Sequence, residues 1–233
     1  MGSRISKNSV SIAVVIAFIL CAISLGMPLI MAAFSAQDAT FSPSRSSVTS
    51  LPPGRYNSGS ELAKGTFLVA NRHLKDPHFS KTVILLIKYD RTGALGLIIN
   101  QPTDVKLSTV FPEIESLQKL TDTVYIGGPV ARGNLFILLQ SGSQPEKSQK
   151  VFDDIYVSSS KKVITEIIDN AGGGKKFRVY AGLASWVAGQ LDWEVSRGSW
   201  NVVQADAENI FSKQPSGIWP GLILQSSTLH VSL

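Results

Sequence analysis

The chain has 233 residues and a formal net charge of +5, with 44% hydrophobic and 17% charged residues. That is ample apolar material for a core, while a single cysteine, Cys21, excludes an intrachain disulfide framework or a thiolate metal site. Loss of residues 1–35 would remove only Arg4 and Lys7 and leave a net +3, and the remaining basic doublets, Lys161-Lys162 and Lys175-Lys176, do not form the stripe of a nucleic-acid binder; direct nucleic-acid binding is not expected.

In chain order, residues 1–35 carry no acid, and the run from Val10 to Phe34 is apolar apart from Ser11, Ser24, Gly26 and Pro28. Two readings compete. The run exceeds the roughly 18 apolar residues needed to span a bilayer as a helix, which favours an anchor through residues 10–34. A basic start and small residues at Ala33 and Ser35, behind Pro28, equally suit a cleaved secretory signal. Either reading places the rest of the protein on or across a membrane, on the periplasmic side; the alternative is a buried helix of a cytoplasmic protein. Residues 36–64, rich in Ser, Pro and Gly, read as a flexible tether. Residues 65–233 read as one domain.

The domain opens with a β-prone run at Thr66–Ala70. Val83 to Tyr89 and Ala94 to Asn100, separated by Asp90-Arg-Thr-Gly93, predict a hairpin of strands that are apolar on both faces, so both sides of the sheet are expected to be covered. Pro102 is expected to end the second strand. Apolar residues at 107, 110, 111, 114, 117 and 120 predict an amphipathic helix limited by Pro112. Strands follow at Val124–Ile126, Leu135–Gln140 and Ile155–Val157, the first turning at Gly127-Gly-Pro129. Ser160 is expected to cap a helix through Asp169 that glycines 172–174 close. Phe177–Ala181 then reads as a strand, Val187–Ser196 as a helix, Trp200–Gln204 as a strand, and Asp206 as the cap of a last helix through Phe211. Irregular alternation of this kind predicts an α+β fold with a mixed, largely antiparallel sheet covered by helices.

Catalytic and metal chemistry finds little support in these residues. His73 and His78 flank Asp76, but no carboxylate-rich segment completes a metal set, and surface-loop histidines are the plainer reading. Ser185 lacks the Gly-x-Ser-x-Gly elbow. Asp153-Asp154, placed in a strand, would point to opposite faces and reads as an exposed charged pair. No catalytic residue, metal ligand or cofactor is assigned. Binding candidates remain. The Gly127-Gly128-Pro129 turn offers unhindered amides for an anion or a peptide carbonyl, or is simply a tight turn against the sheet. The amides of Asn100 and Gln190 either line a recognition pocket with Trp186 or satisfy buried backbone groups. Trp193 and Trp200 are expected in the core.

Three blocks carry a family resemblance: Gly93-Ala-Leu-Gly-Leu-Ile-Ile-Asn-Gln-Pro102 with Asp76-Pro77 and Phe79 ahead of it, Tyr125-Ile-Gly-Gly-Pro-Val130, and Trp186 with Gly189-Gln-Leu191, Glu194 and Gly198-Ser-Trp200. Asp206, Phe211 and Trp219 continue the pattern. The chain resembles the YqgE/AlgH family of bacterial proteins, which has no established biochemical activity. It departs from that pattern at Ser185, at Leu139-Gln140 and in its hydrophobic leader, since family members are generally short and cytosolic. The resemblance and the missing catalytic set imply a non-enzymatic binding or regulatory module, with the protein partner unspecified. The alternative is an enzyme acting on a small polar ligand around Asn100, Pro102, Gly127, Gly128, Pro129, Trp186 and Gln190.

Overall fold

The computed structural model of the protein describes residues 60–169 and 176–228. The hydrophobic segment 1–35 with Cys21, the tether up to residue 59, the glycines 172–174 with Lys175, and His230 lie outside the described residues. Among the described residues no helix is long and apolar enough to cross a membrane.

Ten strands form the body: β1 (Thr66–Ala70), β2 (Val83–Asp90), β3 (Gly93–Ile98), β4 (Pro102–Lys106), β5 (Thr123–Ile126), β6 (Val130–Gln140), β7 (Gln149–Phe152), β8 (Ile155–Ser158), β9 (Phe177–Val187) and β10 (Trp200–Gln204). Helices α1 (Leu107–Val110), α2 (Lys161–Asp169), α3 (Gln190–Ser196), α4 (Ala207–Ile210) and α5 (Pro215–Thr228) and a 3₁₀ turn at Glu115–Lys119 lie between and after them. The main sheet runs β10-β1-β2-β3-β9-β6-β8-β7, with β4 paired to β5 and β5 to β9. Only the β5–β9 pair is parallel; the rest are antiparallel. The sheet curls until its far ends approach: Gly65 lies against the Phe152 side chain, and Lys64 Nζ donates to the Lys150 carbonyl at 3.0 Å.

Side-chain alternation along these strands divides the apolar residues between the inside of the curl and its outside. Phe67, Val69, Val83, Leu85, Leu97, Phe136, Leu138 and Tyr180 point inward, where Ile210 of α4 and Ile218, Leu222 and Ile223 of α5 close the cluster. The intervening residues face outward in two separate patches. One, with Ile137, Leu139, Val179 and Ala181, is covered by α1, the 3₁₀ turn and α2; the other, with Leu68, Ile84, Leu86, Ile98, Ala184 and Trp186, is covered by α3 and by Phe79. The covering expected on both sheet faces is therefore present.

Strand β9 serves both halves of the sheet by changing parity at Gly182. Tyr180 and Leu183 both face the inner cluster although they are three residues apart, whereas Ala181 and Ala184 face outward. Strict alternation cannot produce that; one extra residue can. Gly182 absorbs it at φ +73, a left-handed conformation open to glycine. Before the bulge β9 pairs β5 at Tyr180 and Ala181, and after it β9 pairs β3 from Ala184 to Val187.

Several expected boundaries move. The helix expected over 107–120 is instead α1, which ends at Val110 just before Pro112, and a 3₁₀ turn. Its apolar positions are nevertheless buried as the pattern implied, from Leu107 to Leu117, while Leu120 is exposed. The helix expected from Val187 begins at Gln190, because β9 runs on to pair Val187 with Gly93. Pro102, expected to end the second strand, instead starts β4, and β3 already ends at Ile98. The short strand β7 and the helix α5, with Pro215 at its first position and Pro220 within it, were not anticipated. Trp193, expected in the core, is 58% exposed, because it lies on the side of α3 opposite the buried Leu191 and Val195; Trp200 is buried.

Candidate functional site

The Gly127-Gly128 turn sits where β3, β5, β6 and β9 converge. The Gly127 amide donates to Ala181 O at 2.8 Å and its carbonyl accepts from Ile98 N at 2.9 Å, so this backbone is already part of the sheet. A Cβ on Gly127 would come within 2.2 Å of Gly182 O, and one on Gly128 within 2.1 Å of the Leu183 carbonyl carbon. The glycines are required by the close approach of the β9 backbone, which occupies the space above them. Both are buried and Pro129 is half-buried.

Asn100 and Pro102 follow β3. The Asn100 Oδ1 accepts from Val83 N at 2.9 Å and its Nδ2 donates to Lys81 O at 3.0 Å, so the amide extends the β2–β3 ladder by one side-chain rung. It thereby pins Lys81, whose φ is +58. Pro102 is exposed and pairs opposite Tyr125.

Trp186 and Gln190 meet at Glu194. The Glu194 Oε2 accepts from the indole nitrogens of Trp186 at 3.0 Å and Trp200 at 2.9 Å, and Oε1 accepts from Gln190 Nε2 at 2.9 Å. Gln190 Oε1 in turn accepts from Val187 N at 3.2 Å. The two indole rings meet edge to face with centroids 6.2 Å apart, and Phe79 stacks on Trp186 at 6.2 Å and abuts Trp200 at 5.8 Å. Buried indole N–H groups need acceptors, and one carboxylate oxygen supplies both. On the next helical residues, Asp192 accepts from the Tyr89 hydroxyl at 2.6 Å, and Arg197 lies 5.0 Å from the centre of the exposed Trp193 ring. Trp186 and Gln190 are thus joined through Glu194, while the Asn100 amide turns away to Lys81 and Val83.

A second cluster lies on the inner face. Arg178 of β9 stands over the Tyr125 ring at 4.6 Å and donates to the Ile210 carbonyl at 2.6 Å and to the Ser212 carbonyl, capping the end of α4. Tyr125 and Tyr180 rings are 5.6 Å apart across the parallel β5–β9 pair. Burial pushes both hydroxyls above their ordinary values, with the nearby Arg178 charge opposing the rise. The Tyr180 hydroxyl is fully buried and has no hydrogen-bond partner among the described residues.

Glu194 and Arg178 carry these clusters, and neither was singled out from the sequence as an organising residue. The spacing of Gln190 and Glu194, one helical turn apart, was the available signal for the first. No local signal existed for the second, because Arg178 reaches Ile210 across 32 positions.

Of the weaker candidates, His73 and His78 are exposed on the loop between β1 and β2, where Asp76 accepts from the His78 and Phe79 amides. Ser185 is exposed on β9. Asp153 and Asp154 form the β7–β8 turn rather than part of a strand; Asp153 is exposed, and half-buried Asp154 accepts from Gln140 Nε2 at 2.8 Å.

Comparison with known proteins agrees with this framework. Residues 67–227 match the AlgH-like family. A UPF0301 protein of Idiomarina loihiensis is 35% identical over 157 residues, covering 65% of this chain and 84% of the relative, and one of Ralstonia nicotianae is 39% identical over 150 residues, covering 63% and 78%. The solution structure of the AlgH protein from Pseudomonas aeruginosa superposes with a TM-score of 0.59 at 27% identity, covering 77% of this chain and 93% of that one. The crystal structure of protein DIP2367 from Corynebacterium diphtheriae shares the fold, with a TM-score of 0.62 at 23% identity over 71% of this chain and 88% of its own.

Proposed function

As the chain belongs to the AlgH-like family, we propose that it is a non-catalytic binding module held at a membrane, or delivered across one, by residues 10–34. One observation supports the non-catalytic reading above others: the polar groups in the candidate neighbourhood are bonded to the fold itself. Both ends of the Asn100 amide, both ends of the Gln190 amide, the Trp186 indole N–H and the Gly127 amide have protein partners within 3.2 Å. A ligand recognised there would first have to displace those bonds, each worth about 1 kcal/mol net and more where burial would leave a group unpaired. Binding through the outer surface requires no such exchange. Support for membrane association comes from the apolar run between Val10 and Phe34 behind Arg4 and Lys7.

Ligand-induced thermal shifts across a metabolite panel test the non-catalytic reading, each variant being compared with its own unliganded melting temperature. No metabolite is expected to shift the wild type. A saturable shift that disappears in Asn100→Ala and Gln190→Ala would favour the enzyme alternative.

A further inference from the structure

The loop joining β1 to β2, Asn71–Lys81, carries three cations and one acid in eleven residues. It exposes Arg72, Lys75, Lys81, His73 and His78, against one acid, Asp76, whose carboxylate is engaged by the amides of the loop itself. From Ser60 to Leu233 the chain has 18 Lys and Arg and 16 Asp and Glu, and this loop alone holds three of the former and one of the latter. The loop thus carries a net +2, and the charges of the rest of the domain balance in number. Among the described residues, Lys88, Lys161 and Lys162 make ion pairs, whereas Arg72, Lys75 and Lys81 are in none.

Buried aromatic rings join the loop to α3. Phe79 of the loop packs on Trp186 and Trp200, which Glu194 ties to α3, and Asn71 N donates to Ser199 O just past that helix. The outer side of the same helix presents Trp193, 58% exposed, with Arg197 against its ring, and Val187 at the end of β9 is 71% exposed. The acids of the helix, Asp192 and Glu194, bond to Tyr89 and to the two tryptophans.

We propose that Asn71–Lys81, with Trp193 and Arg197, docks on anionic lipid headgroups. An exposed indole with Arg197 against it, next to the basic loop that Asn71 N joins to Ser199 O, suits the headgroup level of a bilayer, where tryptophan is enriched and each Lys or Arg adds attraction to anionic lipid. Lipid is favoured over nucleic acid by the course of the chain. Leu62, four residues before β1, packs on the same apolar cluster as Leu74 and Phe79 of the loop, so the described chain enters the domain on this face. The proposal rests on the membrane reading given above, and its test separates the two.

The full chain is reconstituted, domain outward, into vesicles of phosphatidylcholine alone or with phosphatidylglycerol, and tryptic cleavage after Arg72, Lys75 and Lys81 is timed against cleavage after exposed Arg132. Anionic vesicles are expected to slow the three loop cleavages at least tenfold while leaving Arg132 unchanged. The triple variant Arg72→Glu, Lys75→Glu, Lys81→Glu is expected to lose that protection, since three cations near an anionic surface together account for roughly 100-fold in affinity; circular dichroism confirms that it is folded. Equal cleavage on neutral and anionic vesicles overturns the proposal, as does protection by a DNA or RNA oligomer without lipid, which would assign the surface to nucleic acid. Release of the chain from both vesicle types by alkaline carbonate overturns the tether instead. Sedimentation with anionic but not neutral vesicles then supports the docking surface, and its absence sinks it.

Discussion

Replacing Glu194 with alanine removes the acceptor shared by two buried indoles. Trp186 and Trp200 are 4% and 2% exposed, and their N–H groups have Glu194 Oε2 as their acceptor. Each buried donor left unpaired costs about 1–3 kcal/mol, and the bond to Gln190 adds about 1 kcal/mol. Because the carboxylate is half-buried and water can reach part of the space it leaves, the expected loss is about 3 kcal/mol, a large share of the 5–15 kcal/mol typical of a domain. Glu194→Gln keeps an acceptor oxygen in place without the charge and is expected to lose only about 1 kcal/mol. Urea unfolding followed by far-UV circular dichroism gives the free energies, and near-UV circular dichroism reports the packing of the indoles. A Glu194→Ala protein within about 0.5 kcal/mol of wild type, with an unchanged near-UV spectrum, would refute the reasoning that the carboxylate organises this cluster.

Other expectations follow from the same geometry. Tyr180→Phe is expected to be neutral or stabilising by up to about 1 kcal/mol at pH 7, since the hydroxyl it removes has no partner. Burial raises the folded phenol above its ordinary 10.0, so above that pH the unfolded chain releases its proton first and stability falls; the variant should lose less between neutral and strongly alkaline pH in urea titrations, and an equal loss would contradict this. Gly182→Ala forces a side chain into a left-handed conformation, with its Cβ 2.6 Å from Gly128 O and 2.8 Å from Val130 O. A loss of about 3 kcal/mol or more in chemical unfolding, or failure to fold, is expected, and a loss below 1 kcal/mol would show that β9 does not need the bulge. Asn100→Asp keeps the acceptor for Val83 N but not the donor to Lys81 O, so it should lie between wild type and Asn100→Ala, which is expected to lose about 2 kcal/mol in the same assay.

The legible parts of this fold were those written in consecutive residues. Val83–Tyr89 and Ala94–Asn100 read as buried strands because they are nearly continuous apolar runs, and they pair as the hairpin β2–β3. Asp206 read as a cap, and its carboxylate accepts from Asn209 N at 2.7 Å. The pattern over 107–120 reported burial correctly as far as Leu117 but not backbone hydrogen bonding, because Pro112 leaves only separate turns to carry the same apolar face. The parity change at Gly182 was invisible, since it exists only in the pairing of β9 with β3, β5 and β6. Of the candidate residues, Trp186 and Gln190 come together through Glu194, a partner that spacing alone did not single out. The glycines of 127–128 were conspicuous in sequence, but their reason, contact with Gly182 and Leu183 more than fifty residues later, is tertiary.

Membrane attachment or export is tested by fractionating cells that express the full chain and sequencing the N-terminus of the mature protein. The chain is expected in the membrane fraction with residues 10–34 intact, or beyond the membrane without the leader before Ala36. An intact chain recovered soluble from the cytoplasm would contradict it.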